Sequence, residues 1–192
     1  YSQAVHYKKD GIFEDIDNTL EQVTTEDGDK VYRNKENSFG VEFPEDIADG
    51  YVKYSDEKGF VEFKLVGVTN KKLEKMKTDS KKKDKTEIQN VISGIKYKSV
   101  KKNIDIEYDI TSDSLKETIV INKKTKESFI FEVKTSADKV VKNDDGSLEF
   151  YDEQGNSLYV MQSPYMEDAA GEFSEDISVI FEKTENGYLL TY

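Results

Sequence analysis

The 192-residue sequence contains no cysteine and no tryptophan, and it has one histidine and two prolines. Without cysteine, disulfide bonds and thiolate metal sites are excluded. The single histidine, His6, cannot form a His-rich metal site, and a Ser-His-Asp triad would need distant partners. We therefore interpret His6 as a partly exposed strand residue and predict no catalytic, cofactor-binding or metal-binding residues.

The sequence also lacks a signal peptide and any apolar run long enough to cross a membrane. The first residue is Tyr1, and the last residues, Tyr188–Tyr192, resemble a strand. We interpret the chain as a piece of a larger protein whose export signal lies upstream. Membrane insertion is not expected.

The clearest pattern present is a period-2 alternation between Ile104 and Ile110. Apolar side chains alternate there with Asp105, Glu107 and Asp109. This pattern predicts a strand with one face in a core and one acidic face in solvent. Two further strand-like runs follow, at Ile119–Ile121 and Phe129–Val133.

Turn signals recur at short intervals along the chain. Glycine after aspartate or asparagine tolerates the positive φ of tight hairpins, and such pairs occur at Asp27-Gly28, Asp49-Gly50, Asp145-Gly146 and Asn186-Gly187. Short strands between such turns predict an all-β fold, an antiparallel β-sandwich. Ser38–Phe43 resembles Ser128–Val133. An ancient duplication, which would give two related sandwich-like halves, explains this likeness, and generic strand patterning explains it equally well.

A lysine-rich run separates the two β-like parts of the chain. Lys71 to Lys85 holds eight lysines, and Glu87–Gly94 fits either a short helix or a strand. The expected organisation is a first β-rich half at 1–70, a connector or short helix at 71–93 and a second β-rich half at 94–192. The run is most simply a solvated linker. The alternative is a docking patch for a phosphate-bearing wall polymer.

The formal net charge of −12 argues against nucleic acid as a partner, because phosphates need a basic surface. Two acidic turns, Asn143–Gly146 and Asp27–Asp29, could attract calcium. Both lack an oxygen ligand at the first position of an EF-hand loop, which is Val141 in one case and Val23 in the other. Hairpin turns explain them better, and no cofactor is expected.

Several segments in order resemble the wall-associated RHS/YD-repeat (DNRLRE-type) proteins that Gram-positive bacteria secrete. They are, along the chain, Glu14–Leu20, Asn37-Ser38-Phe39, Tyr97–Val100, Asp105–Tyr108, Ser114–Glu117, Phe129-Ile130-Phe131 and Pro164–Asp168. The resemblance implies a β-rich region upstream of the repeats, located outside the cell and associated with the wall or secreted. In that family the far C-terminal end can carry a variable toxin, which this sequence does not resemble.

The resemblance implies a noncatalytic structural or scaffolding module, a monomer whose partners are neighbouring modules of the same larger chain. The second candidate is a module that binds a carbohydrate or cell-wall polymer. Exposed tyrosines on one sheet face would favour it, and the candidates are Tyr51, Tyr54, Tyr151, Tyr159 and Tyr165. Tyrosine on strands is more often a half-buried packing residue.

Overall fold

A computed structural model describes residues 4–76 and 90–192. All regular secondary structure in these two ranges is β-strand, and every strand pairing is antiparallel, which confirms the predicted all-β class. In chain order the strands are β1 (His6–Lys9), β2 (Ile12–Asp15), β3 (Asp17–Thr24), β4 (Lys30–Glu36), β5 (Gly40–Pro44), β6 (Val52–Asp56), β7 (Gly59–Leu65), β8 (Glu74–Met76), β9 (Ser93–Lys101), β10 (Ile104–Ile110), β11 (Leu115–Ile121), β12 (Ile130–Thr135), β13 (Lys139–Lys142), β14 (Leu148–Tyr151), β15 (Ser157–Met161), β16 (Met166–Glu167), β17 (Phe173–Ser174), β18 (Ile180–Thr184) and β19 (Gly187–Thr191). Within the described ranges, no helix is long and apolar enough to cross a membrane.

The chain divides into two compact units. Unit 1 comprises Tyr1–Glu57 and Gly67–Lys126, and unit 2 comprises Lys58–Val66 and Glu127–Tyr192. The predicted second half, 94–192, would separate β9, β10 and β11 from the N-terminal strands. These three strands lie in unit 1, and the organisation into 1–70, 71–93 and 94–192 stays a prediction.

Unit 1 contains two sheets that pack face to face. One has the order β6-β5-β4-β3 and the other the order β11-β10-β9-β8. Phe43 meets Tyr108 across the interface with ring centroids 5.5 Å apart, and the Tyr97 hydroxyl donates to the Pro44 carbonyl over 2.6 Å. This is the predicted β-sandwich arrangement, in which inward-facing side chains of both sheets form one core.

The alternation on β10 is confirmed. Ile104, Ile106 and Ile110 have no exposed surface and Tyr108 is 1% exposed, so all four point inward. Burial of such side chains supplies roughly 1.5–3 kcal/mol each. The β1–β2 hairpin also belongs to unit 1, and its Tyr7 packs with Ile16 and Val91.

A buried asparagine fastens several elements of unit 1 together. The Asn18 amide on β3 donates to the Val91 carbonyl over 2.6 Å and to the Thr111 carbonyl over 2.8 Å. Its oxygen accepts from Asn34 over 3.0 Å and from Asn37 over 3.1 Å. Because each polar atom of Asn18 has a partner, this group is buried without the cost of an unsatisfied amide.

Unit 2 contains a sheet of order β18-β19-β12-β7, a meander β13-β14-β15 and the small hairpin β16-β17. Phe131 and Val133 of β12 are 2% and 1% exposed, and Leu148 and Phe150 of β14 are each 1% exposed. These inward positions again alternate with outward ones. The proposed duplication of the two predicted halves stays a prediction.

The lysine-rich run is only partly within the described ranges, since 77–85 lies outside them. The described part, residues 71–76, contains the short strand β8, and the linker stays a prediction. The backbones of Lys72 and Asp46 form an isolated antiparallel β-bridge, and β8 pairs with β9. The Lys75 ammonium donates to the Leu20 carbonyl over 2.7 Å. Of the ambiguous segment 87–94, residues 87–89 lie outside the description and β9 begins at Ser93.

Candidate functional site

The outer face of β9 and β10 carries a bulge that is held by Asp105. The β9 strand has two additional residues opposite the interval between Ile104 and Ile106, and Ser99 takes a φ of 54° there. The Asp105 carboxylate accepts the Ser99 backbone N–H over 2.7 Å and the Asn122 amide over 3.2 Å. It is 9% exposed, although an acidic outer face in solvent was expected.

Lys96 forms ion pairs with two carboxylates of this face. Its ammonium lies 3.0 Å from Asp105 and 2.8 Å from Glu107. Burial alone would raise the pKa of the Asp105 carboxyl, but hydrogen bonds from Ser99, Lys96 and Asn122 hold that pKa below its usual value. Asp105 and Glu107 are therefore parts of a structural ion-pair network centred on Lys96.

Four exposed or half-exposed lysines lie at one end of the same sheet. Lys101 is the last residue of β9 and Lys102 begins the turn to β10, while Lys123 and Lys124 lie in the loop that follows β11, after Asn122. The two loops are adjacent because Ile104 pairs with both Lys101 and Ile121. The Asn122 backbone N–H also donates to the Asn103 carbonyl over 2.9 Å. We name this surface, formed by Lys101, Lys102, Lys123 and Lys124, the lysine end.

The lysine end is a local reversal of sign in an acidic chain. None of its four ammonium groups has an ion-pair partner among the described residues, whereas neighbouring Lys98 is paired with Glu74 over 2.6 Å. Neighbouring strands lie about 4.8 Å apart, so three adjacent strands bring the four lysines close to one another. Such a cluster attracts polyanions even when the net charge of the chain is negative.

A second unusual group is the carboxyl of Glu117 on β11. Glu117 pairs with Tyr108, so it faces the core, and it accepts the Tyr108 hydroxyl over 2.6 Å. Burial raises the pKa of Glu117 to about 7, although the hydrogen bond from Tyr108 opposes the rise. A carboxyl with such a pKa can exchange a proton near neutral pH, which is a property shared by catalytic and by structural groups.

The residues that the sequence offered for metal binding are explained by local structure. His6 lies on β1 with its Nε2 2.9 Å from Asp15. In the turn before β14, the Asp145 carboxylate accepts from the Ser147 backbone and hydroxyl over 2.9 and 2.6 Å. The Asp27–Asp29 turn is closed by backbone bonds to Thr25. In the described part of the chain, no group of three His, Cys, Asp or Glu residues could hold a metal ion.

Two of the five tyrosines proposed for glycan binding point to opposite faces of one sheet, and two others pack against phenylalanine rings. Tyr54 stacks on Phe39 with centroids 4.8 Å apart, and burial raises its pKa to about 12. In unit 2, Tyr159 pairs with Phe150 while Tyr151 is the next residue along β14, so Tyr151 and Tyr159 point to opposite faces of the meander. Tyr165 packs against Phe173 with centroids 5.2 Å apart.

Unit 2 also has an open depression of about 420 Å³. Its lining residues are Asp138, Lys139, Val141, Tyr151, Asp152, Glu153 and Gly155. Three of these seven carry carboxylates and one carries an ammonium group, so the depression is a poor site for an anionic ligand.

The chain is similar to segments of three WapA proteins from Bacillus. It is 34% identical over 104 residues to the tRNA3(Ser)-specific nuclease WapA of Bacillus spizizenii, covering 50% of this chain and 4% of that protein. It is 33% identical over 104 residues to the tRNA nuclease WapA of Bacillus subtilis strain 168, again covering 50% and 4%. It is 26% identical over 202 residues to the tRNA(Glu)-specific nuclease WapA of Bacillus subtilis subsp. natto, covering 99% of this chain and 8% of that protein.

The similarities support an RHS-related protein. The chain spans less than a tenth of the length of these relatives. No protein-family profile matches the sequence, and no solved structure matches it.

These relatives overturn three expectations: a noncatalytic structural or polymer-binding module, the absence of an enzyme, and the exclusion of nucleic acid. All three relatives are named as tRNA nucleases. A formal net charge of −12 does not exclude nucleic acid as a partner, because a net charge sums over the whole chain.

Proposed function

We propose that this chain acts within a large tRNA nuclease of the WapA kind. The observation that carries the proposal is the similarity to the tRNA(Glu)-specific nuclease WapA, which extends over 99% of the chain. The lysine end supports it, because an RNA-processing protein must approach a polyanion and the chain is otherwise acidic. Activity, substrate and partners of the whole protein are part of this proposal.

The test is cleavage of tRNA by the full-length product of the gene that encodes this chain. Total tRNA is incubated with the purified product and resolved on a denaturing gel. We expect discrete tRNA fragments, and we expect a product that lacks these 192 residues to cleave more slowly at low tRNA concentration. Intact tRNA after incubation with the full-length product contradicts the proposal.

We also propose that the parent protein works outside the cell, in association with the wall. The support is the resemblance to wall-associated RHS-type proteins together with the similarity to WapA. An antibody raised against this chain should detect it in the wall fraction and the culture medium. Detection in the cytoplasmic fraction alone contradicts this location.

A further inference from the structure

We propose that the lysine end binds the phosphate backbone of RNA without reading its base sequence. This inference rests on the proposed function, since it assigns a surface for the substrate of that nuclease. It concerns only Lys101, Lys102, Lys123 and Lys124 and the two loops that carry them.

The four lysines of the lysine end are exposed or half-exposed, so a ligand in solution can reach their ammonium groups. They have no carboxylate partner among the described residues, unlike Lys96 and Lys98 of the same strand. A phosphate that binds them therefore displaces no ion pair to a described residue. Each lysine that neutralises a phosphate releases counterions, and this release drives binding of proteins to nucleic acid.

Hydrogen bonds hold the two loops together at Asn103 and Asn122. Asn103 closes the β9–β10 turn with a φ of 61°, and its carbonyl accepts the Asn122 backbone N–H. The Asn122 side chain in turn donates to Asp105, which also holds the Ser99 bulge. Because these bonds fix Asn103 and Asn122 beside the lysines, binding loses less backbone entropy at these two positions.

The two loops carry no aromatic side chain that could stack on RNA bases. The residues of the two loops are lysine, asparagine and threonine: Lys101, Lys102 and Asn103 in one, and Asn122–Lys126 in the other. Lysine binds phosphate as a point charge, and sequence-specific RNA recognition mostly uses aromatic stacking on unpaired bases. The lysine end therefore holds RNA, and the choice of a particular tRNA belongs to another part of the protein.

The experiment measures binding of fluorescent tRNA to this 192-residue chain by anisotropy at 50 and 200 mM salt. Four phosphate contacts with a slope of about 0.7–0.9 each predict a roughly 50- to 150-fold loss of affinity over this range. Replacing Lys101, Lys102, Lys123 and Lys124 by glutamine should abolish most binding at 50 mM and flatten the dependence on salt. Replacing them by arginine should preserve both.

The matched control replaces four other exposed lysines by glutamine: Lys8, Lys30, Lys139 and Lys142. It changes the net charge by the same amount and should keep the tRNA affinity within about threefold, since exposed charges beyond a Debye length are screened. Circular dichroism checks that each variant is folded. Equal losses in the control and in the lysine-end variant would overturn the proposal, because only net charge would then matter.

Three further results separate the possibilities. Equal affinity for two unrelated tRNAs is expected, and a preference of more than about tenfold for one of them would contradict readout of the backbone alone. Binding to poly(glycerol phosphate) without binding to tRNA would overturn the inference in favour of a wall polymer. Cleavage of tRNA by the full-length product without tRNA binding by this chain contradicts the inference alone, whereas binding without cleavage contradicts the proposed function alone.

Discussion

Glu117 is a single carboxyl placed where the fold would prefer an apolar residue. Its neighbours on the same face of β11 are Leu115 and Ile119, which are partly buried, and its cross-strand partner is Tyr108. The period-2 pattern of β11 contained this information, since Glu117 falls in register with the apolar positions. The sequence patterns of β10 predicted its outward carboxylates, but the carboxylate of Glu117 on the core side of β11 was not predicted.

The raised pKa of Glu117 makes stability depend on pH. In the folded state the pKa is about 7, compared with 4.5 for the unperturbed group. The folded chain therefore binds more protons than the unfolded chain between these values, and stability falls as pH rises through that window. The cost is absent below pH 4.5 and complete above pH 7.

Glu117→Gln should therefore stabilise the protein at pH 8 by about 1–3 kcal/mol and have little effect at pH 4.5. Glutamine keeps an oxygen that can accept the Tyr108 hydroxyl and removes the buried charge. Urea unfolding at both pH values measures the difference, with exposed Glu26→Gln as the control. A gain that is equal at the two pH values would show that charge at Glu117 is not the cause.

At the scale of elements, β10 shows both what the sequence predicted and what it could not. Its inward residues follow from the alternation of Ile104, Ile106, Tyr108 and Ile110, and they form the core of unit 1. Its outward Asp105 was expected in solvent. The bulge that buries this carboxylate is centred on Ser99, a residue type with no preference for the positive φ found there. The local sequence therefore does not predict the bulge.

Asp105→Ser should destabilise unit 1 by about 1–3 kcal/mol, because it leaves the Ser99 N–H without its acceptor and removes one partner of Lys96. Urea unfolding at pH 7 measures the loss, and hydrogen exchange should show faster exchange of the Ser99 amide. Asp27→Ser, at an exposed turn position of the same unit, is the control and should change stability by less than about 0.5 kcal/mol. Unchanged protection of the Ser99 amide would rule out the proposed role of Asp105.

Like the bulge at Ser99, the grouping of the strands into two units has no signal in the local sequence. The sequence order suggested halves on either side of the lysine-rich run, because turn and strand signals are local. The partners of Asn18 lie 73 and 93 residues away, at Val91 and Thr111. Contacts of this range carry no signature in a single sequence, so strands could be predicted while their grouping could not.

For the whole molecule, the balance between net charge and the lysine end depends on ionic strength. The chain carries a formal charge of −12, which repels RNA over distances of a Debye length. That length is about 30 Å at 10 mM salt and about 10 Å at 100 mM. At moderate salt a bound phosphate interacts mainly with the nearby lysines, and at very low salt it also experiences the acidic surface.

We therefore predict that the logarithm of tRNA affinity does not rise linearly down to 10 mM salt. It should fall several-fold below the line extrapolated from 50–200 mM, because long-range repulsion offsets counterion release. Neutralising four exposed carboxylates of unit 2, by Asp144→Asn and by Glu→Gln at Glu153, Glu175 and Glu185, should remove much of this shortfall. The same variant should leave the affinity at 200 mM within about twofold. Anisotropy titrations from 10 to 200 mM provide the measurement. A straight line through 10 mM for the unmodified chain would show that the lysine end is not opposed by the rest of the surface.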